Sequence, residues 1–363
     1  MNFTKTYEAV DLALMAGSVP LIIGESGIGK TALIIRYARE KGINLVNIDA
    51  NLLKEGEIGG LPTVIDGKTY YATHHKLTQI DEYLLAGAKG CLLFIDELNR
   101  CDHAVAQELM NLILNREING YQLDPRVIVA SAMNPPSGME EFKETDYRVV
   151  EMDPAQRNRF VWLAMDSDPR EWIKWGLNEG EIHPLVIEFI STFDEYLHSA
   201  SEEEFIEATP RSWERISRAL TVFEQNPGRF QEDTLHNLVK GNAGTRIAQD
   251  FMNYLRDNQN PRLKAQDLLT MDTLSQFVKD EIADASHSRL YILIMNMVKE
   301  LVKITPEELK QAYARRIGEV LFQYPKDLRI ALMKEIRSLY LTDAYPCLLD
   351  DDRFLEAFYD CYG

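Results

Sequence analysis

The chain has 363 residues, enough for two or three domains with a sizeable core. Its formal charge of −18 argues against wrapping nucleic acid by bulk electrostatics, because phosphate neutralisation needs clustered Lys and Arg. Cys91, Cys101, Cys347 and Cys361 form no CxxC and have no His at zinc spacing, so they read as buried thiols of a reducing compartment and not as a disulfide framework.

The N-terminus lacks the basic-then-apolar pattern of a signal peptide, and a cytoplasmic setting is expected. Val19-Pro20-Leu21-Ile22-Ile23 is short, apolar and β-prone, and Ala32-Leu33-Ile34-Ile35-Arg36-Tyr37-Ala38 repeats apolar residues at helical spacing. Between them lies Gly24-Glu25-Ser26-Gly27-Ile28-Gly29-Lys30-Thr31, a complete phosphate-binding loop. Its backbone N–H groups and the following helix start can wrap a polyphosphate. Lys30 is expected on the β/γ-phosphates and the Thr31 hydroxyl on Mg²⁺.

Alternating strand-like and helix-like segments run from about 18 to 165, with strands expected at 21–23, 44–48, 91–95, 127–132 and 161–165. The fold class implied is α/β: a P-loop NTPase αβα domain with a five-stranded parallel sheet over 1–165. An all-α segment over 166–258 and a helical C-terminal region over 259–363 follow. In the first of these, His183-Pro184 opens a helix with Leu185, Phe189, Phe193 and Leu197 on one face. Asp257-Asn258-Gln259-Asn260-Pro261 marks the later boundary, and Thr305-Pro306-Glu307-Glu308 starts another helix. The apolar run 290–298 is too short to span a bilayer.

Leu92-Leu93-Phe94-Ile95-Asp96-Glu97 is an apolar strand ending in two acids. Beside a phosphate loop, Asp96 is expected to hold Mg²⁺ and Glu97 to orient and activate the attacking water. The strand ending Ala132-Met133-Asn134-Pro135 offers a neutral amide for the γ-phosphate or the lytic water. His74-His75 has no evident third ligand and reads as an exposed loop; Trp162, Trp172, Trp175 and Trp213 read as packing residues, and Glu202-Glu203-Glu204 as solvated.

The order of these motifs resembles an AAA+ ATPase, and Asp96-Glu97-Leu98-Asn99-Arg100 resembles the DE-x-NR signature of the MoxR-type branch, within the dynein-related subfamily. Glu57-Ile58-Gly59-Gly60-Leu61-Pro62 resembles that branch's insert beside the second strand, with Glu57 where Asp is common. Glu117-Ile118-Asn119-Gly120-Tyr121-Gln122-Leu123 resembles its hairpin before the sensor strand. Asp153-Pro154-Ala155-Gln156-Arg157-Asn158-Arg159-Phe160 resembles "PAxxDRF", with Asn158 replacing the usual Asp, and Ala208-Thr209-Pro210-Arg211-Ser212-Trp213 resembles the lid motif.

The resemblance implies ATP and Mg²⁺ as ligands and an oligomeric, hexameric ring. Arg159 becomes the finger acting on the neighbouring subunit's nucleotide, with Arg157 as the reserve, and Arg211 becomes the lid residue acting on its own. The function implied is chaperone-like remodelling or assembly of a protein client, with a von Willebrand factor A-type protein as a partner. A nucleic-acid-associated motor, disfavoured by the acidic composition, and a nucleotide-gated scaffold stand as alternatives.

Overall fold

The computed structural model describes residues 1–136, 152, 154–199, 205–258, 263–271, 273–285, 287–304 and 307–360. Asp153, Glu202-Glu203-Glu204, Gln259-Asn260-Pro261, Thr305-Pro306 and Cys361 lie outside them. Two compact units form: Met1–Trp175 with Leu197–Arg215, and Gly176–Tyr196 with Ile216–Gly363.

In the first unit, α1 (Phe3–Met15) leads into β1 (Val19–Ile23), α2 (Lys30–Lys41) and β2 (Asn44–Asp49). A hairpin of β3 (Leu61–Ile65) and β4 (Lys68–Ala72) is followed by α3 (His75–Leu85), β5 (Cys91–Asp96) and α4 (His103–Met110). The short strands β6 (Glu117–Ile118) and β7 (Tyr121–Gln122) precede β8 (Val127–Met133), α5 (Pro154–Arg157), β9 (Phe160–Ala164) and α6 (Pro169–Asn178). The five-stranded sheet runs β2-β5-β8-β1-β9 with every pairing parallel, and its strands fall where the apolar runs placed them.

Strand periodicity of two explains the layers. Leu21, Ile23, Leu93, Ile95, Val127 and Val129 face one core, under Leu77 and Ile80 of α3 and Val105 and Leu109 of α4. Ile22, Leu92, Phe94, Ala130 and Ala132 face the other, under Val10 and Leu14 of α1 and Leu33, Ile34 and Tyr37 of α2. A sheet covered on both faces needs continuous apolar strands, and these are such strands. The result is an αβα sandwich.

Both hairpins turn on residues with positive φ: Asp66 and Gly67 between β3 and β4, Asn119 and Gly120 between β6 and β7. Two such residues make the primed turn that matches strand twist, as Asn119-Gly120 implied. Every residue of β3 and β4 is exposed, so this hairpin projects from the sandwich.

The second unit is helical. α7 (Pro184–Thr192), α8 (Pro210–Gln225), α9 (Glu232–Ala243) and α10 (Thr245–Asn258) come first, the start of α8 belonging to the first unit. The α7 helix is shorter than expected. Its buried face is Val186, Ile187, Phe189 and Ile190, while Phe193 leaves helical geometry at φ −129° and Leu197 belongs to the other unit. The three β-branched residues and Phe189 outcompete the Leu185 stripe for the core.

Seven further helices follow among the described residues: α11 (Ala265–Thr270), α12 (Gln276–Asp284), α13 (His287–Lys303), α14 (Glu307–Phe322), α15 (Lys326–Leu339), α16 (Ala344–Leu349) and α17 (Asp352–Tyr359). They close around Leu293, Met297, Ile317, Leu321, Leu332 and Phe354. No helix among the described residues is long and apolar enough to cross a membrane.

Candidate functional site

The phosphate loop joins β1 to α2. Gly29 has φ +105° and caps the start of α2, a conformation that a side chain resists, and Gly27 has φ +82°. The N–H groups at the beginning of α2 therefore open onto the loop, where a helix start favours anions. An ideal Cβ on Gly27 would come within 2.8 Å of Thr209 Oγ1, so Thr209 lies directly against the loop.

Lys30 is buried at the centre. Its Nζ donates to the carbonyls of Gly24 (2.6 Å) and Glu25 (2.9 Å) and to Asn134 Oδ1 (3.1 Å), which engages all three ammonium hydrogens. Burial lowers its pKa to about 8, and the Arg211 charge adds to that effect, while Glu97, Asp96 and Glu25 oppose it. Arg211 is thus close enough to be felt at Lys30.

Asp96 ends β5 and Glu97 follows it, beside this lysine. The Thr31 hydroxyl donates to Asp96 Oδ2 at 2.6 Å, and the Glu97 N–H donates to Asp96 Oδ1 at 3.0 Å. Thr31 and Asp96 are hard oxygen donors side by side, the set that Mg²⁺ takes, and the glycine-opened loop suits a polyphosphate, so the residues fit both groups. Glu97 sits at φ +54°, an uncommon backbone for a side chain, of the kind that recurs at functional sites.

Asn134 connects the two halves. It is fully buried at the end of β8; its Nδ2 donates to Glu97 Oε2 at 2.8 Å while its Oδ1 accepts from Lys30. The carboxylate needs a donor and the ammonium an acceptor, which fixes the orientation of the amide. One hydrogen-bonded chain therefore runs Lys30–Asn134–Glu97. The backbone of Asn134 is in turn held by the Asn99 side chain through bonds of 2.8 and 3.3 Å.

Arg211 is exposed one residue into α8, where Thr209 accepts from the Ser212 N–H at 3.2 Å. Arg159 is exposed at the opposite end of the sheet. Phe160, which follows it, pairs with Val19 at the start of β1, whereas the phosphate loop leaves the far end after Ile23. Five residues of strand separate the two levels, about 16 Å, so Arg159 is not brought to its own chain's phosphate site. Arg157 is exposed in the adjoining turn of α5.

Three participants were not singled out from sequence. Thr209, which its motif offers only as a helix cap, lies over Gly27, and Asn99, inside the DE-x-NR motif with no role of its own, lies under Asn134. His198, whose Nε2 stands 2.7 Å from Glu25 Oε2, carried no signal at all. The reading of His74 as exposed loop is corrected: it is buried, and its Nδ1 accepts from Lys76 N–H as the N-cap of α3. Among the described residues no cluster of three or more His, Cys, Asp or Glu is arranged to hold a metal by itself. Cys91 and Cys101 are buried, and burial raises both thiol pKa values, Cys91 to about 11.

Residues 20–160 match the family described as AAA domain (dynein-related subfamily). The matched segment, well under half of the chain, is an AAA domain. The matched AAA segment contains the phosphate loop, Asp96, Glu97, Asn134 and Arg159, and stops short of Arg211. A curated relative, "Putative chaperone BssE" of Thauera aromatica, is 28% identical over 162 residues, 42% of this chain and 51% of that protein. The chain therefore spans about half the length of that relative. Matches among solved structures include Thermotoga maritima RuvB, a Holliday junction branch migration motor, at 17% identity and TM-score 0.32 over 73% of this chain and 72% of that one. NtrX from Brucella abortus matches at 13% identity and TM-score 0.34, over 93% of this chain and 68% of that one.

Proposed function

We propose that this AAA protein is a MoxR-type ATPase that hydrolyses Mg²⁺-ATP in a cytoplasmic homo-oligomeric ring, a hexamer, to remodel or assemble a protein client. The observation that carries the reading is the Lys30–Asn134–Glu97 chain beside the Thr31–Asp96 pair. It gathers a phosphate-binding cation, a neutral sensor and a carboxylate base within hydrogen-bond reach of one another.

In this reading Gly24, Glu25, Ser26, Gly27, Ile28, Gly29, Lys30 and Thr31 hold the phosphates through loop N–H groups and the ammonium. Thr31 and Asp96 hold Mg²⁺, which when bound neutralises charge between the β- and γ-phosphates. Glu97 accepts a proton from water as its oxygen bonds to the γ-phosphorus, and the bridging oxygen leaves with ADP. Asn134 reports the γ-phosphate, Arg211 serves the same subunit from the lid, and Arg159 serves the neighbour. The division into nucleotide domain (1–165), lid (166–258) and C-terminal region (259–363) belongs to the same proposal.

A protein client is favoured over nucleic acid by the charge of −18 and by the projecting hairpin, where Leu61, Val64, Ile65, Tyr70 and Tyr71 are exposed. The printed name of the Thauera relative points the same way. A von Willebrand factor A-type protein is the partner the MoxR resemblance suggests. The test is Glu97→Gln: it should bind ATP yet turn over about 10²–10⁴ times more slowly, and it should then retain client in a pulldown from the native host. Unchanged hydrolysis in that variant rejects the assignment.

A further inference from the structure

The geometry points to Asn99 as a positioning residue for hydrolysis: its carboxamide clamps the main chain of Asn134 on both sides of the Cα and so aims the Asn134 amide at Lys30 and Glu97. The inference rests on the ATPase reading above.

Asn99 is only 3% exposed and Asn134 is fully buried. Asn99 Nδ2 donates to the Asn134 carbonyl at 2.8 Å, and the Asn134 N–H donates to Asn99 Oδ1 at 3.3 Å. One side chain thus satisfies both main-chain groups of the sensor residue, which burial requires something to do. The two bonds engage the peptide groups on both sides of the Asn134 Cα and so fix the orientation of that residue, which one bond would not.

The clamp is built into the turn that carries the base. Glu97 follows the last residue of β5, the Leu98 N–H donates to the Ala132 carbonyl at 3.0 Å, and Asn99 comes next. Base and clamp are therefore two residues apart, on a turn tied to the strand that ends in the sensor. Pro135 restricts Asn134 to extended backbone, so a lost clamp allows the peptide to swing about an already narrowed range. A swing of about 1 Å suffices to part the amide from a carboxylate 2.8 Å away, and misplacements of that size can cost ~10² in rate.

Asn99→Ala removes both bonds. Asn99→Asp keeps the shape and the acceptor for the Asn134 N–H, loses the donor to its carbonyl, and serves if the alanine variant fails to fold. Each should lower kcat roughly 10–10² fold with the KM for ATP changed less than about threefold. The deciding arm is the double variant. In an Asn134→Ala background there is no amide left to aim, so adding the Asn99 substitution should change kcat by less than about twofold. An equal further loss in that background would make Asn99 a general packing residue and overturn the inference.

A second measurement is independent of turnover. A crystal structure of nucleotide-free Asn99→Asp should show the Asn134 amide withdrawn from Glu97. The amide still bridging Lys30 and Glu97 would overturn the clamp. A wild-type protein that binds ATP without hydrolysing it would instead overturn the ATPase reading, and the crystal structure would still decide the clamp.

Discussion

The Thr31 hydroxyl meets the Asp96 carboxylate at 2.6 Å, across a sequence separation of 65 residues. The adjacent central strands β5, β8 and β1 bring the two together at the C-terminal ends of the strands. Removing either oxygen should weaken Mg²⁺ without unfolding the sandwich. Asp96→Ala should raise the Mg²⁺ concentration for half-maximal turnover roughly 10–100 fold, and chelation should abolish turnover in the wild type. Turnover titrated against Mg²⁺ checks both; hydrolysis that persists in excess chelator rejects the metal assignment.

Lys30 should set a pH limit on nucleotide binding. Burial, with Arg211 second, lowers its pKa from 10.5 to about 8 against the pull of Glu97, Asp96 and Glu25. Between those two values the unfolded chain binds more protons than the folded one, so this group's contribution to stability rises with pH there. Phosphate binding has the opposite sign, because it uses the ammonium, and the free protein loses that charge above pH 8. The dissociation constant for ATP should therefore rise about tenfold from pH 7 to pH 9. In Lys30→Arg, whose guanidinium stays charged, whatever binding survives should lose this pH dependence. Equal wild-type affinity at the two pH values would contradict the linkage.

The sandwich and its phosphate site were legible because local pattern and tertiary demand agree. The apolar runs of β1, β5 and β8 are buried on both faces, and the glycine loop, the two acids and the asparagine each lie where one of these central strands ends, all at the same end of the sheet. Helix α7 was misjudged because two stripes competed: Leu185 and Phe189 matched the period, but Val186, Ile187 and Ile190 were also available and took the core. His74 was misread because its partner is a backbone N–H two residues on, which no side-chain pattern reveals. The His198–Glu25 approach joins residues far apart in sequence and depends on where the chain returns to the first unit. Asn99 was visible inside a motif, yet its task is to bond a main chain, and main-chain groups leave no mark in sequence.

Gly318 marks where α14 and α17 touch backbone to backbone. An ideal Cβ there would stand 2.7 Å from the Arg353 carbonyl carbon and 2.8 Å from Phe354 Cα. Alanine adds about 1 kcal/mol of helix propensity in α14, but displacing the start of α17 costs ~1–3 kcal/mol. The displaced segment carries Phe354, which is fully buried. Gly318→Ala should therefore lower the melting temperature of the helical unit by several degrees while ATP affinity stays as it was. Denaturation followed alongside nucleotide binding separates the two; a stabilised variant would show that α17 yields freely.

Arg159 gives the decisive test of the ring. It is exposed at the end of the sheet opposite its own phosphate loop, about 16 Å away along the strands, so a catalytic role requires a neighbour's nucleotide. Arg159→Ala should then lose turnover in a homogeneous ring, by about 10³ or more where such fingers dominate, while binding ATP normally. Glu97→Gln fails for a different reason, since its own site lacks the base. In mixed rings some junctions pair an intact Glu97 with an intact Arg159 from the adjacent subunit. Mixing the two dead variants should restore activity that neither has alone. Titrating one against the other reads this out, with subunit exchange verified by labelled protein. Dilution of the wild type below its assembly concentration should lower activity per subunit for the same reason. Mixed rings that stay inactive would move the finger to Arg157, and a fully active monomer would exclude the ring. A finger acting across a junction demands only a head-to-tail contact, and a closed ring is one of the two assemblies that such a contact builds.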